Sequence, residues 1–478
     1  MPASFREEYL QLLKLVKNNS KNPDLKLVKK AFEFSKNSHK SQKRLSSEPF
    51  FTHPLKVALR LAELGLDSET VAAALLHDCL EDTDADSQIL KREFGKEVLD
   101  LVEGVSKLRK IAEKKREEQQ VQDLEKLLLA SIKDLRVFVI KLADKINNLE
   151  TIKHLPRERQ EQIASEALKV YAPLAHKLSM HRMRFQIEDL AFKALQPERF
   201  AELETLVEVR KRRVEKSINA LISKVRKECS KAGIPVVFLK ETKALYSTEE
   251  KIVRFKKTFE EIQDFMLLDL LTNSVEDCYV LLGKLHSLFK PVPRKFKDFI
   301  AMPEYNLYQA LHTTVIGPFG TPIKCYISTF EMHEIAEHGV IFFLKNKNQK
   351  NLNLLKEKTK WMQSLLKPKN LKNPKKFLAK LNSELEQTII VFTPKGDKIE
   401  LPLESTPIDF AYKIHTDLGE HCWKSIVNGK QVPVSTGLNA GDIVRIVPSK
   451  TLKSKPAWLS IVKSHGAREA LERKFKKL

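Results

Sequence analysis

Glycine is scarce in this chain, with 14 in 478 residues and almost none before residue 195. Five cysteines stand far apart at 79, 229, 278, 325 and 422, and no two form a CxxC pair. That spacing argues against a structural zinc site or a disulfide framework and for a reducing compartment, with the cytoplasm expected. No apolar run approaches the roughly 20 residues that span a bilayer. The opening "MPASFREEYLQLLKLVKNNS" carries acids early and reads as an amphipathic helix, so no secretory signal is expected. Acids are the minority charge, 62 against 84 lysines and arginines, for a net +22. Two readings of that excess stay open: a polyanionic partner such as a phosphorylated small molecule or RNA, or a general lysine surplus without a localised patch.

Residues 1–195 show apolar positions at three- and four-residue spacing, as in "TVAAALLHDCLED" and "EQIASEALKVYAPLAHKLSM", and are expected to be all helical. "AEKKREEQQVQD" has no such period and reads as an exposed helix or a loop. A long charged helix from about 196 closes at Gly233. Beyond it "IPVVFLKE", "DFMLLDLLT", "YNLYQALHTTVIGPFGTPIKCYIST" and "HGVIFFL" are β-rich, with "DCYVLLGKLHSLF" helical between them. That mixture predicts an α+β domain over 196–345. A Lys/Asn-rich helical connector is expected at 346–386. Residues 387–450 read as a ββαββ module with hairpins at Pro394–Gly396 and Asn428–Gly429 plus a closing strand. Residues 451–478 read as one basic helical tail. The predicted class is multidomain α+β.

In "AALLHDCLEDTDAD" the helical period puts Leu75, Leu76, Cys79 and Leu80 on one half of a helix and His77, Asp78, Glu81 and Asp82 on the other. Alone, HDxxED is an ordinary solvent face. Two further residues change that. His53 lies in "EPFFTHPLKVAL" just before a helix, and Asp144 is a single acid in the very apolar "VFVIKLADKINNL". A buried lone aspartate is costly unless paired or bound to a cation. Together the three segments make the H…HD…D constellation of the HD phosphohydrolase superfamily. Two imidazoles and two carboxylates suit Mn²⁺, with room for water and a phosphate oxygen. Glu81 and Asp82, one turn on, are placed to handle the proton of attacking water or leaving group.

The segments "RLSSEPFFTHPLKVA", "VAAALLHDCLEDT", "FGKEVLDLVEGVSKL", "IKDLRVFVIKLADKINNLETI" and "YAPLAHKLSMHRMRFQIEDLAF" follow one another as in the RelA/SpoT alarmone enzymes, which the chain resembles over nearly its whole length. The resemblance implies an all-α HD domain, an α/β nucleotidyltransferase-like synthetase domain and a β-grasp TGS module. It also implies Mn²⁺-dependent removal of the 3′-pyrophosphate of ppGpp and pppGpp. Its metal ligands would be His53, His77, Asp78 and Asp144, with Glu81 and Asp82 activating water. Arg44 and Ser46 would contact the nucleotide, and Asn148 and Thr151 its guanine side. The family's SGEPY reads "SSEPF" here, with Ser47 for glycine and Phe50 for tyrosine, and "KINN" replaces Arg-Leu-His-Asn at 145–148.

The second domain departs further. The family's GRxKxxYS reads "KETKALYS", so Glu241 replaces an arginine while Lys243 and Lys251 are kept. Asp264, the family's Mg²⁺ ligand, survives, but Asp269 replaces another arginine and Leu307 a glycine. In "KCYIST" Lys324 stands for the catalytic glutamate and Ser328 for an arginine. Phosphoryl transfer rests on positioning and cationic stabilisation, so the set of changes predicts a dead, pseudo-synthetase domain. In the TGS-like part, His415 falls where long family members meet the tRNA acceptor end on the ribosome. Against that contact stand changes at Glu420, Trp423 and Lys424 and the lack of downstream domains after "PAWLSIVKSHGAR"; the other reading is that His415 packs. Two rival functions remain: hydrolysis of another phosphorylated nucleotide, and a non-enzymatic alarmone- or ribosome-binding regulator.

Overall fold

The computed structural model describes residues 3–20, 22–106, 116–262, 265–293, 295–302, 308–346, 349–365, 377, 381, 383–385 and 388–475. Asp264 and Leu307 lie outside the described residues. The chain divides into two compact units, Met1–Pro374 and Lys375–Leu478. No described helix is long and apolar enough to cross a membrane.

Up to Leu195 the described residues of the first unit are mainly helical. Four helices matter for the site: α1 (Thr52–Glu63), α2 (Ser68–Leu76), α3 (Cys79–Asp82) and α4 (Arg136–Glu150). Helix α2 starts at the Asp67 cap, whose carboxylate accepts from Thr70 N at 3.0 Å. Residues Val71–Leu76 are buried all round, because helices Leu25–Ser38, α1 and Ser87–Val105 enclose them. The single amphipathic helix read over 75–82 is therefore not what forms. Helix α2 ends at Leu76, His77 and Asp78 make a turn, and the four-residue α3 follows. His77 falls inside the core at 2% exposure rather than on a solvent face.

Helix α4 is drawn close to the helix Ser87–Val105 at Gly104, where a Cβ would meet Val137 Cγ2 at 2.8 Å. Its first residue, Arg136, donates to Asp67 (3.0 Å), Glu97 (2.7 Å) and Asp134 (2.6 Å). One guanidinium thus ties the start of α4 to the cap of α2. Residues 116–123 of the charged stretch are in the helix Arg116–Lys133.

Helix α5 (Pro197–Lys231) leads, past Gly233 at φ 70°, into a five-stranded sheet. Its strands are β1 (Val237–Thr242), β2 (Met266–Thr272), β3 (Lys297–Asp298), β4 (Leu311–Ile316) and β5 (Pro322–Thr329), in the order β1-β2-β5-β4-β3. Only β2 and β5 run parallel. Helix α6 (Phe330–His338) follows β5. "HGVIFFL", read as β, instead forms helix α7 (Val340–Lys345). Gly339, at φ 53°, presses on the backbone of Leu178, whose carbonyl accepts from Val340 N at 3.2 Å. That tertiary contact turns a short apolar run into a buried helix.

The second unit pairs β6 (Thr388–Phe392) with β7 (Lys398–Pro402), followed by α8 (Pro407–Ile414) and by a sheet of β8 (Cys422–Val427), β9 (Lys430–Val432) and β10 (Val444–Pro448) in the order β10-β8-β9. Strands β8 and β9 meet across Asn428 and Gly429, at φ 50° and 80°, the two left-handed positions of a type I′ turn. The tail 451–478 is not one helix. A 3₁₀ turn at Pro456–Ser460 precedes helix α9 (His465–Phe475), and Trp458, Val462, Ala467 and Leu471 join Ile408 and Ala411 in a common core. The buried Asp409 carboxylate fixes the break by accepting from Lys463 N (2.9 Å) and Ser464 N (2.7 Å).

Ser47 occupies the left-handed region at φ 67°, in the tight turn where Ser47 N donates to Arg44 O. A Cβ there is disfavoured by about 1–2 kcal/mol, partly offset by the looser unfolded chain a glycine gives. Ser47→Gly is expected to raise stability by roughly 0.5 kcal/mol. The check is a higher urea midpoint at unchanged m.

Candidate active site

Helix α1 supplies His53, the turn after α2 supplies His77 and Asp78, and α4 supplies Asp144. His53, His77 and Asp144 are all buried, with ligand atoms within 4.8 Å of one another. Asp78 spans the two imidazoles, its carboxylate oxygens 3.2 Å from His77 Nε2 and 3.6 Å from His53 Nε2. His53 Nε2 is also 3.2 Å from Asp144 Oδ1.

The tautomers follow from the outer nitrogens. His77 Nδ1 lies 2.7 Å from the Ala74 carbonyl, which only accepts, so Nδ1 carries the hydrogen and Nε2 a lone pair. That Nε2 is buried and has no hydrogen-bond partner. His53 Nδ1 lies 2.6 Å from Asn147 Oδ1, while Asn147 Nδ2 donates to Glu150 at 3.3 Å, so His53 likewise turns Nε2 inward. Burial works against a charged His53, but hydrogen bonding to Asp144 and the fields of Asp78 and Asp144 outweigh it and raise its pKa. Without a cation a proton therefore sits between Nε2 and Asp144, where a metal would displace it. Asp144 is held well below the usual carboxylate range: burial opposes this, and Lys141 and His53 overcome it. Two inward nitrogen lone pairs facing two carboxylates fit a divalent cation, which would use the orphaned His77 Nε2.

Around this centre Lys141 Nζ sits 3.1 Å from Asp144 Oδ2. Asn148 donates to Asp144 Oδ1 at 2.6 Å and accepts from Arg44 at 3.4 Å. Thr151 Oγ1 donates to the carbonyls of Asn147 and Asn148, closing α4. Ser46 Oγ donates to Glu48 at 3.3 Å. The Gln42 side-chain amide reaches the Asp82 carbonyl and pins the loop carrying Arg44 against α3. Glu81 and Asp82 are exposed, and the field of Glu81 reaches both Lys126 and Lys141. Phe50 stacks on His39 at 4.9 Å.

Lys141 is not among the residues the sequence singles out, and Asn147 stands out there only as part of "KINN"; each lies three residues from Asp144 and so on its face of the helix.

Among the synthetase-type positions, Glu241 and Asp269 lie on β1 and β2 and form a second group with His333. Lys324 on β5 lies over the Tyr326 ring at 5.1 Å, Ser328 is buried further along, and Lys243 follows β1 with its N–H donating to Phe265 O. Lys251 is in the helix Leu245–Phe255. His415 is exposed and does not pack; its Nδ1 accepts from Asp417 N at 3.3 Å.

Three family descriptions match: HD domain at residues 31–181, Region found in RelA / SpoT proteins at 240–351, and TGS domain at 389–448. The bifunctional (p)ppGpp synthase/hydrolase SpoT of Escherichia coli K12 is 37% identical over 98% of this chain and 67% of its own length. The chain belongs to the RelA/SpoT family. A guanosine-3′,5′-bis(diphosphate) 3′-pyrophosphohydrolase of Aquifex aeolicus is 42% identical over 94% of the chain and 64% of that relative. A GTP pyrophosphokinase of Streptomyces coelicolor is 39% identical over 98% and 58%. This RelA/SpoT chain therefore spans about two thirds or less of the length of these relatives.

Proposed function

We propose that the chain hydrolyses the 3′-pyrophosphate of ppGpp and pppGpp, giving GDP or GTP and pyrophosphate, and that its synthetase-like region makes no alarmone. The observation that carries this reading is the orphaned, buried Nε2 of His77 aimed at His53, Asp78 and Asp144. Those four side chains would hold one Mn²⁺. When bound, it supplies Lewis-acid polarisation of a phosphoryl group and acidifies water near neutral pH.

The chain's own residues do the rest. Arg44, half-buried within the fields of Asp78 and Asp144, positions and offsets the nucleotide's phosphates together with Lys126. Ser46 adds a hydroxyl beside it, and Asn148 and Thr151 face the guanine side. The exposed Glu81 and Asp82 carboxylates take the proton of the water that attacks the 3′-linked phosphorus. They return one to the ribose 3′-oxygen as its bond to phosphorus breaks, freeing pyrophosphate and the 3′-hydroxyl of GDP or GTP. Lys141 and Asn147 hold Asp144 and His53 in orientation. Five free, buried cysteines fit a cytoplasmic setting.

The loss of synthesis rests on Glu241, Asp269, Lys324 and Ser328, which remove two guanidinium charges, the acidic position and a third guanidinium from a reaction driven by cations.

Purified chain with Mn²⁺ and ppGpp is expected to release GDP and pyrophosphate, while GDP with ATP yields no ppGpp. Release of single phosphates, or faster turnover of a dinucleotide polyphosphate in the same panel, would reassign the substrate. Glu81→Gln is expected to lower kcat about 10²–10⁴-fold at unchanged fold, read by steady-state kinetics.

A further inference from the structure

Glu241, Asp269 and His333 form a second group whose ligand atoms lie within 4.8 Å of one another. The antiparallel register pairs Glu241 with Leu267 and Asp269 with Leu239, so the two acids are diagonal neighbours on one face of β1 and β2. Strand β5 runs beside β2, with Tyr326 next to Asp269, and leads directly into α6, whose fourth residue is His333. Glu337, one turn later, adds a third carboxyl whose field reaches Asp269.

Asp269 is 5% exposed, in a strand buried at every residue. Among the described residues no lysine, arginine or backbone N–H pairs with its carboxylate; its hydrogen-bond neighbour is Glu241, another acid. Burial first, then Glu241 and Glu337, push its pKa up to about 8, and burial with Glu241 pushes Glu337 up to about 7. Arg182, from the helix His181–Leu195, offsets Glu337. A carboxylate this deeply buried against a second carboxylate either keeps a proton between them or takes a cation there. The half-buried His333 ring completes a mixed nitrogen and oxygen donor set of the kind that first-row divalent cations take.

We propose that Glu241, Asp269 and His333 hold a divalent first-row cation at a second site on the five-stranded sheet. The site is separate from the His53–Asp144 centre and shares no residue with it. Two of its ligands stand at the positions where the family resemblance expects arginines, so positive charge returns to this face as a metal ion.

The test counts bound Mn²⁺ on the full chain by electron paramagnetic resonance. The parent is expected to bind two equivalents, and Glu241→Gln/Asp269→Asn one, with ppGpp hydrolysis kept. His333→Gln, which leaves both acids in place, is expected to weaken the second equivalent at least tenfold. Equal stoichiometry in the parent and the double variant overturns the proposal, as does unchanged affinity in His333→Gln. Loss of hydrolysis in His77→Ala with one equivalent still bound reports on the first centre alone, so the two sites are judged independently.

Discussion

His77→Ala is expected to abolish the proposed Mn²⁺-dependent hydrolysis of ppGpp, by at least about 10³-fold in kcat/KM, with the far-UV circular dichroism kept at that of the parent. The expected loss exceeds about 4 kcal/mol of transition-state stabilisation. The size follows from the ring's position. One nitrogen is anchored on the Ala74 carbonyl and the other is aimed at the centre with no other partner, so no neighbouring side chain takes over its role. The same substitution is mild for the fold because His77 ends α2 and its removal leaves no charge unpaired. Asp144→Ala is a poorer probe, since it strands the buried Lys141 ammonium 3.1 Å from the missing oxygen and so damages the core as well. Turnover by His77→Ala within tenfold of the parent would remove this residue from the site.

The second large effect falls on stability. Arg136→Met is expected to cost about 3 kcal/mol, the lower end for breaking a buried ion pair by deleting one partner. The guanidinium is 7% exposed and serves three acids, whereas Glu97 is more than half exposed and regains water when released. Burial alone would lower the Arg136 pKa, and Asp134, Asp67 and Glu97 reverse that and raise it. Because Asp67 also caps α2, loosening Arg136 lets the helix bearing Asp144 move relative to the one ending at His77. Mn²⁺ affinity should fall with stability in this variant. Urea unfolding measures the first and metal titration the second; a change under 1 kcal/mol would show the network to be dispensable.

Where the physics is local, the sequence announced the fold. The helices before Leu195 carry their own 3.6-residue period, and Asn428–Gly429 dictates its hairpin through two left-handed residues. The Asp144 helix was legible for the opposite reason: one acid in an apolar run is anomalous until a cation is supplied. What stayed hidden depends on distant partners. The break between α2 and α3 keeps nearly helical dihedrals at His77 and Asp78, so no residue type marks it. Residues 340–345 become a helix through Gly339 against the Leu178 backbone, more than 150 residues away. Lys141 and Asn147 look like ordinary helix residues until the His53 ring and the Asp144 carboxylate arrive beside them. Glu241 and Asp269 were visible only as two separate replacements; the β1–β2 register makes them one site.

The proposed hydrolysis turns on one cation that His53, His77, Asp78 and Asp144 would hold. The most direct measurement is the rate of pyrophosphate release from ppGpp by metal-stripped protein as Mn²⁺ is returned. The account expects no turnover without metal, recovery on adding Mn²⁺, and no recovery in His77→Ala at any concentration. Full activity in the stripped protein, or a Mn²⁺-loaded parent that leaves ppGpp intact, would contradict it.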